Sequence, residues 1–400
     1  MSAVETPAPL KGVSVIELGH WMAAPAAGGV LADWGADVIK IEPHGGEPMR
    51  HIWGAAGANP DAPNGAFTSA NRGKRSVELD VRSPAGREAL GRLLASADVL
   101  LSNLRPSALE RLGLSPAQVS QLYLRLVFCS LSAYGWGGPD QERAGYDLAA
   151  FFGRTGVGHE ITTQRTPSAA MWSGLGDTFT AMAAVAGISA ALAERATTGR
   201  GRLVEASLLR TGMWALAGEL GTQAMGGRPW PPYPRENCPT PMYNSYRTSD
   251  ERWFYLVGVQ AGRQLPKVLA AIERLDLLGD ERFAGAQALT KNRNEVVAIL
   301  DEAFAAHPLA HWAETFDEHD VFWAPIQTPA EVIDDPQARA TGAWLQVGTT
   351  GIETVDAPIR WDGVTRTVVA GPPRAGEHTR DVLVSLGYTD DDIEELGAPS

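Results

Sequence analysis

The stretch KGVSVIELGHWMAAPAAGGVLADWGADVIKIE, residues 11–42, decides the fold. Its first eight residues are a short β-rich run ending at Leu18. Residues 24–34 are small and apolar and read as a helix that packs closely. Residues 37–42, DVIKIE, form a second strand. Together they make a βαβ unit with a tight crossover. Working outward, the alternation continues with a strand at 76–81, a helix at 84–96 and a strand at 98–102. Short helices near 106–112 and 116–123 and a strand at 126–131 follow. Pro84 and Pro116 suit first helical turns, where the missing N–H is no loss. This order predicts a mainly parallel sheet covered by helices. Ligands of such sheets bind beyond the carboxyl ends of the strands, near a switch in strand order. Residues 19–23, 43–46, 103–105 and 132–138 lie there.

Farther along, 177–195 is an Ala-rich helix, and TTGRGR at 197–202 is a turn into a strand and helix. GGRPWPPYPRENCPTPMYN, residues 226–244, is too rich in proline for regular structure. It marks a domain boundary or a loop facing the active site. A strand at 253–259 and helices to about 315 form a smaller unit; 325–400 mixes strands and turns and closes on a helix.

The 400 residues suit two domains, and 44% hydrophobic with 20% charged residues predicts a globular chain. The net charge of −13 argues against a nucleic-acid interface. Two distant cysteines, Cys129 and Cys238, fit neither a disulfide scaffold nor a zinc site, so a reducing cytoplasm is expected. Residues 1–10 lack the features of a signal peptide, and no apolar run is expected to cross a bilayer. His307 and His311 are read as sharing a helix face without a carboxylate to complete a ligand set, so no metal is expected.

The first strand runs into Gly19-His20-Trp21-Met22, not the glycine fingerprint of a dinucleotide site. The basic run 71–75, NRGKR, with Arg50, Arg82, Arg105 and Arg111, suits a ligand with several phosphates. In Ser173-Gly174-Leu175-Gly176-Asp177 glycines lead to an acid at the start of a long helix. One reading is a cap that meets the helix dipole. The other is a nucleophile, kept ionised by the helix terminus and left open by the glycines. A carboxylate is a weak nucleophile and needs an activated acyl group such as a thioester.

Nine segments in order now carry a resemblance: LKGVSVIELGHWMAAP, LADWGADVIKIEP, NRGKRSVELDV, DVLLSNLRPSALERLGL, SLSAYGWGGP, AGYDLAA, GLGDTFTAMAAVAGISAAL, TGRGRLVEASLL and GEHTRDVLVSLGY. The chain resembles the class III CoA-transferases (CaiB/BaiF family), which include formyl-CoA, carnitine and bile-acid CoA-transferases and α-methylacyl-CoA racemases. The resemblance implies an α/β fold with a large Rossmann-like domain from both chain ends, 1–225 and 325–400. It also implies a smaller α+β domain, 226–324, and an interlocked homodimer. It places the catalytic aspartate at Asp177 and implies an aspartyl mixed anhydride and an aspartyl-CoA thioester. Coenzyme A enters as substrate, with no prosthetic group. Implied CoA contacts are His20, Met22, Ala23, Leu79, Arg82, Asn103, Leu104, Arg105, Arg111, Arg143 and Tyr146.

Met22 and Pro43 stand where formyl-CoA transferases have Gln and Arg, and their glycine-rich lid has no counterpart at 226–244. Oxalate and formate are therefore disfavoured. Racemases of the family have His where this chain has Tyr146, and a phenol with a pKa of about 10 is a poor base at neutral pH. Transferase is preferred, with proton transfer on an acyl-CoA and non-catalytic CoA binding as alternatives. Trp21, Trp136, Trp172, Trp230 and Tyr233 point to an apolar or aromatic acyl group.

Overall fold

The computed structural model describes residues 7–52, 64–161, 174–227, 233–364 and 366–396. Six strands form its main sheet: β1 (Ser14–Leu18), β2 (Asp37–Glu42), β3 (Arg75–Glu78), β4 (Val99–Ser102), β5 (Val127–Ser132) and β6 (Leu203–Ser207). Their order is β3-β2-β1-β4-β5-β6, and every pairing is parallel. Parallel neighbours need crossovers, and helices supply them. Between the strands run α1 (Ala23–Asp33), α2 (Met49–Ile52), α3 (Gly65–Asn71), α4 (Pro84–Ser96), α5 (Pro106–Arg111), α6 (Pro116–Leu122), α7 (Val157–Glu160) and α8 (Leu175–Thr198).

Side chains alternate across the sheet, giving two cores. Val15, Val99, Leu101 and Val127 face α1 and α8, meeting Ala27, Leu31, Ala184 and Ile188. Ile16, Ile39, Leu100 and Phe128 face the other way, toward Leu90 and Leu94 of α4 and toward Val382 and Leu383 of the closing helix Thr379–Ser385. Small residues on α1 let it lie close to the sheet: a Cβ at Gly28 would stand 2.0 Å from the Glu17 carboxylate.

The sequence expectation that no apolar run could span a bilayer is corrected by α8. It has 24 residues, and an 18-residue stretch of it has a mean hydropathy of 1.4, long and apolar enough by length and composition. Its alanines raise the hydropathy because they fit a tight interior contact, with Ala181, Ala184 and Val185 buried against the sheet.

Contacts divide the described residues into two compact units. The first takes those up to His159, those of 174–227 and those from Ala340 onward. The second takes those of Glu160–Ala169 and Trp230–Arg339. It contains the antiparallel strands β7 (Tyr243–Arg247), β8 (Trp253–Val257) and β9 (Trp323–Pro325) around Tyr246, Phe254, Phe304 and Phe316. The chain stays in this unit beyond the expected boundary at 324, because β9 pairs with β8 and Glu331 binds Arg252. The returning chain ties down the edge of the main sheet: Ser76 N–H donates to His378 Nδ1 at 3.3 Å and Glu78 N–H to Thr379 Oγ1 at 3.0 Å.

His307 does not share a helix face with His311. It precedes the helix Leu309–Glu318, and the two rings lie with centroids 4.1 Å apart and planes tilted by 36°. Cys129 and Cys238 are free and buried, one in each unit.

Candidate active site

β1 and β4 are neighbours at the centre of the sheet, and the chain leaves them in opposite directions. The loops after them therefore diverge and open a crevice. Asn103, just past β4, spans it: Oδ1 accepts the His20 N–H at 3.1 Å and Nδ2 donates to the His20 carbonyl at 2.7 Å. The Asn103 amide is thus spent on joining two loops.

Trp21 follows with φ of 69°, a left-handed backbone that a bulky residue adopts at a cost of about 1–2 kcal/mol. Its N–H donates to Glu47 Oε2 at 2.7 Å. Glu47 also pairs with Lys40 at 2.7 Å, and both side chains are fully buried. Lys40 in turn meets Glu17 at 2.8 Å and the Gly19 carbonyl at 3.2 Å, while Lys74 meets Glu17 at 2.6 Å. Burial pulls Lys40 down, but Glu17, Glu47 and Glu42 overcome it and hold its pKa above the ordinary value. Burial brings Lys74 down to about 8. Such a network adds little net stability and instead fixes geometry, here that of the loop after β1.

Asp177 is the third residue of α8. The helix is capped by Gly174, whose φ of 99° favours glycine. The Gly174 N–H donates to Asp147 Oδ2 at 2.8 Å, and Asp147 Oδ1 accepts the Leu148 N–H at 2.7 Å. Asp147, only 6% exposed, thus does the work that a capping Asp177 would have done. The carboxylate of Asp177 takes no hydrogen bond among the described residues. Burial, with the charge of Asp147, pushes its pKa up to about 7, against the expectation that the helix terminus keeps it ionised. Gly176 serves packing: a Cβ there would lie 2.6 Å from the Phe151 ring.

Asp177 opens into a cavity of about 460 Å³. His20, Ala23, Asn103 and Leu104 line it, as do Arg105, Arg111, Arg143 and Tyr146. Burial lowers the pKa of His20, favouring the neutral ring. Arg105 and Arg111 are exposed and have no carboxylate partner among the described residues, whereas Arg143 stands 3.6 Å from Asp140. Met22 lies against Gly174. Leu79 sits in the core at 2% exposure, and Arg82 pairs with Asp80; neither lines this cavity.

The phosphate reading of the basic run at 71–75 is corrected. Arg72 binds Asp33, Lys74 binds Glu17 and Arg75 binds Asp37, and Arg50 is held by Glu42. These cations neutralise the protein's own acids. Trp136 is also turned away, its indole N–H donating to Ser130 at 2.9 Å and its ring packed on the core. Trp172 and Trp230 lie outside the described residues, and Tyr233 belongs to the second unit. Sequence reading missed Asp147, which stands beside Tyr146 in the AGYD segment, and the edge-to-face pairing of Trp21 with Tyr146.

The chain matches the family described as CoA-transferase family III over residues 10–379. It is 34% identical to (R)-2-hydroxy-4-methylpentanoate CoA-transferase of Clostridioides difficile, over 97% of this chain and 98% of that protein. It is 33% identical to cinnamoyl-CoA:phenyllactate CoA-transferase of Clostridium sporogenes, over 96% and 95%. A crystal structure of a CAIB/BAIF family protein from Brucella suis superposes with a TM-score of 0.83 at 29% identity, covering 95% of this chain and all of that one (100%). With a fully parallel six-stranded sheet and a match along nearly its whole length, the chain belongs to CoA-transferase family III.

Proposed function

We propose that the protein moves coenzyme A from an acyl-CoA thioester to a free carboxylic acid, with Asp177 as covalent nucleophile. The carboxylate of Asp177, without a hydrogen-bond partner among the described residues, in a cavity with two arginines that have no carboxylate partner among those residues, carries this reading. With a pKa of about 7 it is a stronger nucleophile than an ordinary aspartate and is still ionised in good part at neutral pH.

Asp177 attacks the thioester carbonyl, the C–S bond breaks, and an aspartyl mixed anhydride and CoA thiolate result. The thiolate attacks the aspartyl carbonyl, releasing the donor acid and leaving an aspartyl-CoA thioester. The acceptor carboxylate attacks that thioester, its C–S bond breaks, and a second anhydride and CoA thiolate result. The thiolate returns to the acceptor's acyl carbon, so the new acyl-CoA leaves and Asp177 is restored. Arg105 and Arg111 suit the phosphates of CoA. The relatives named for (R)-2-hydroxy-4-methylpentanoate and for cinnamoyl-CoA and phenyllactate support acids with a bulky branched or aromatic group as substrates.

The test is incubation with an acyl-CoA and hydroxylamine, followed by peptide mass mapping. Modified Asp177 is expected, together with loss of transfer in Asp177→Ala. Solvent deuterium at the α-carbon without CoA exchange would favour racemisation instead. The homodimer implied by the family resemblance is supported by exposed Met213, Trp214 and Met225. Sedimentation is expected to give twice the 42.6 kDa chain mass, and Trp214→Glu to weaken the association.

A further inference from the structure

Two aromatic rings stand in the cavity that Asp177 opens into, those of Trp21 and Tyr146. Their centroids are 5.5 Å apart and the planes cross at 85°, the favoured edge-to-face arrangement. Each hangs from a backbone fixed by buried polar groups. Trp21 keeps its left-handed φ of 69° while its N–H is held by Glu47, itself locked to Lys40. The Tyr146 carbonyl accepts the N–H groups of Ala149 at 3.0 Å and Ala150 at 2.9 Å. The next residue, Asp147, holds Gly174 at the start of the helix that carries Asp177. Yet the Tyr146 side chain is 59% exposed, although its neighbour Asp147 is buried. A bulky residue kept in a costly conformation, touching an exposed ring inside a cavity, is a feature whose explanation lies in a ligand.

We propose that Trp21 and Tyr146 form the wall of the acyl subsite and select branched or aromatic acyl groups over short ones. The proposal rests on the reading of Asp177 as nucleophile, because the acyl carbon must reach that carboxylate while the rest of the group stays in the same cavity. A short acyl group leaves both rings in water. A branched or aromatic one covers them, and the difference appears as discrimination between donors. Trp21 and Tyr146 are specificity-determining residues in this scheme and take no part in bond making.

The experiment compares 3-phenylpropanoyl-CoA with acetyl-CoA in the full chain, in Trp21→Gly and in Tyr146→Ala. Glycine at 21 accepts the left-handed backbone, and Tyr146 is exposed enough to truncate without emptying the core. Two readouts are taken: kcat/KM with one fixed acceptor acid, and equilibrium affinity for each CoA ester measured in the Asp177→Asn background, where acyl transfer cannot occur. In each variant the ratio of the aromatic ester to acetyl-CoA is expected to fall roughly tenfold in both readouts. A ratio that does not move, whatever happens to the absolute rates, overturns the proposal, as does a ratio that rises. If no CoA transfer and no acylated Asp177 are found but the affinity ratio still falls, the nucleophile reading fails and the wall stands. If transfer proceeds through Asp177 with an unmoved ratio, the nucleophile stands and the wall fails.

Discussion

At position 177 a carboxylate is held in a place that charge avoids, and stability must register it. Its pKa is about 7 in the folded chain against about 3.9 when unfolded. Below pH 4 both states bind the proton and nothing is lost. Between pH 4 and 7 the unfolded chain releases it first, so the fold loses stability as pH rises, and the loss is complete above about 7. Asp177→Asn is therefore expected to abolish transfer yet raise stability at pH 8, by on the order of 2 kcal/mol after solvent screening, with little change at pH 4. Thermal melts at the two pH values check this. With Asp177 as the proposed nucleophile, kcat/KM should rise with pH and level off above about 7, following ionisation of its carboxyl. Asp147→Asn keeps an acceptor for Gly174 but removes a like charge, so the inflection should move to lower pH. An unmoved profile would leave Asp147 with a structural role alone. The sequence pointed to Asp177 through the glycines before it. It did not reveal why they are there, since the Phe151 ring and the carboxylate of Asp147 meet them only in three dimensions.

The first turn of α8 shows how little freedom the supporting elements have. Gly176→Ala would press a methyl group into Phe151. The expected cost is about 1–3 kcal/mol, with a fall in transfer rate, measured by urea unfolding and steady-state kinetics. Elements with a strong repeating pattern were legible in advance: Pro84–Ser96 begins and ends where the sequence placed it, since Pro84 and the Ser83 cap mark its start. The basic run at 71–75 misled because sequence displays charges without their partners. The acids that consume it come from α1, β1 and β2, as many as 57 residues away in the case of Glu17. The buried Lys40–Glu47 pair was hidden for the same reason, although it shapes the loop carrying Trp21.

Over the whole molecule the net charge is −13, yet Arg105 and Arg111, which line the cavity, have no acidic partner among the described residues. Replacing either by alanine is expected to raise the Kd for CoA about tenfold and to flatten its dependence on salt, as titration at two ionic strengths would show. The parallel sheet was legible from the alternation of strands and helices, whereas the pairing of β9 with β8 joins residues far apart in sequence. The two cysteines, one per unit, have a practical use. Cys129 is wholly enclosed, with burial lifting its thiol to about 12, and Cys238 is 2% exposed. A colorimetric thiol reagent added to the native enzyme should therefore see the sulfhydryl of released coenzyme A against almost no protein background, so the thiol expected when Asp177 is acylated by a CoA ester can be followed continuously in a spectrophotometer.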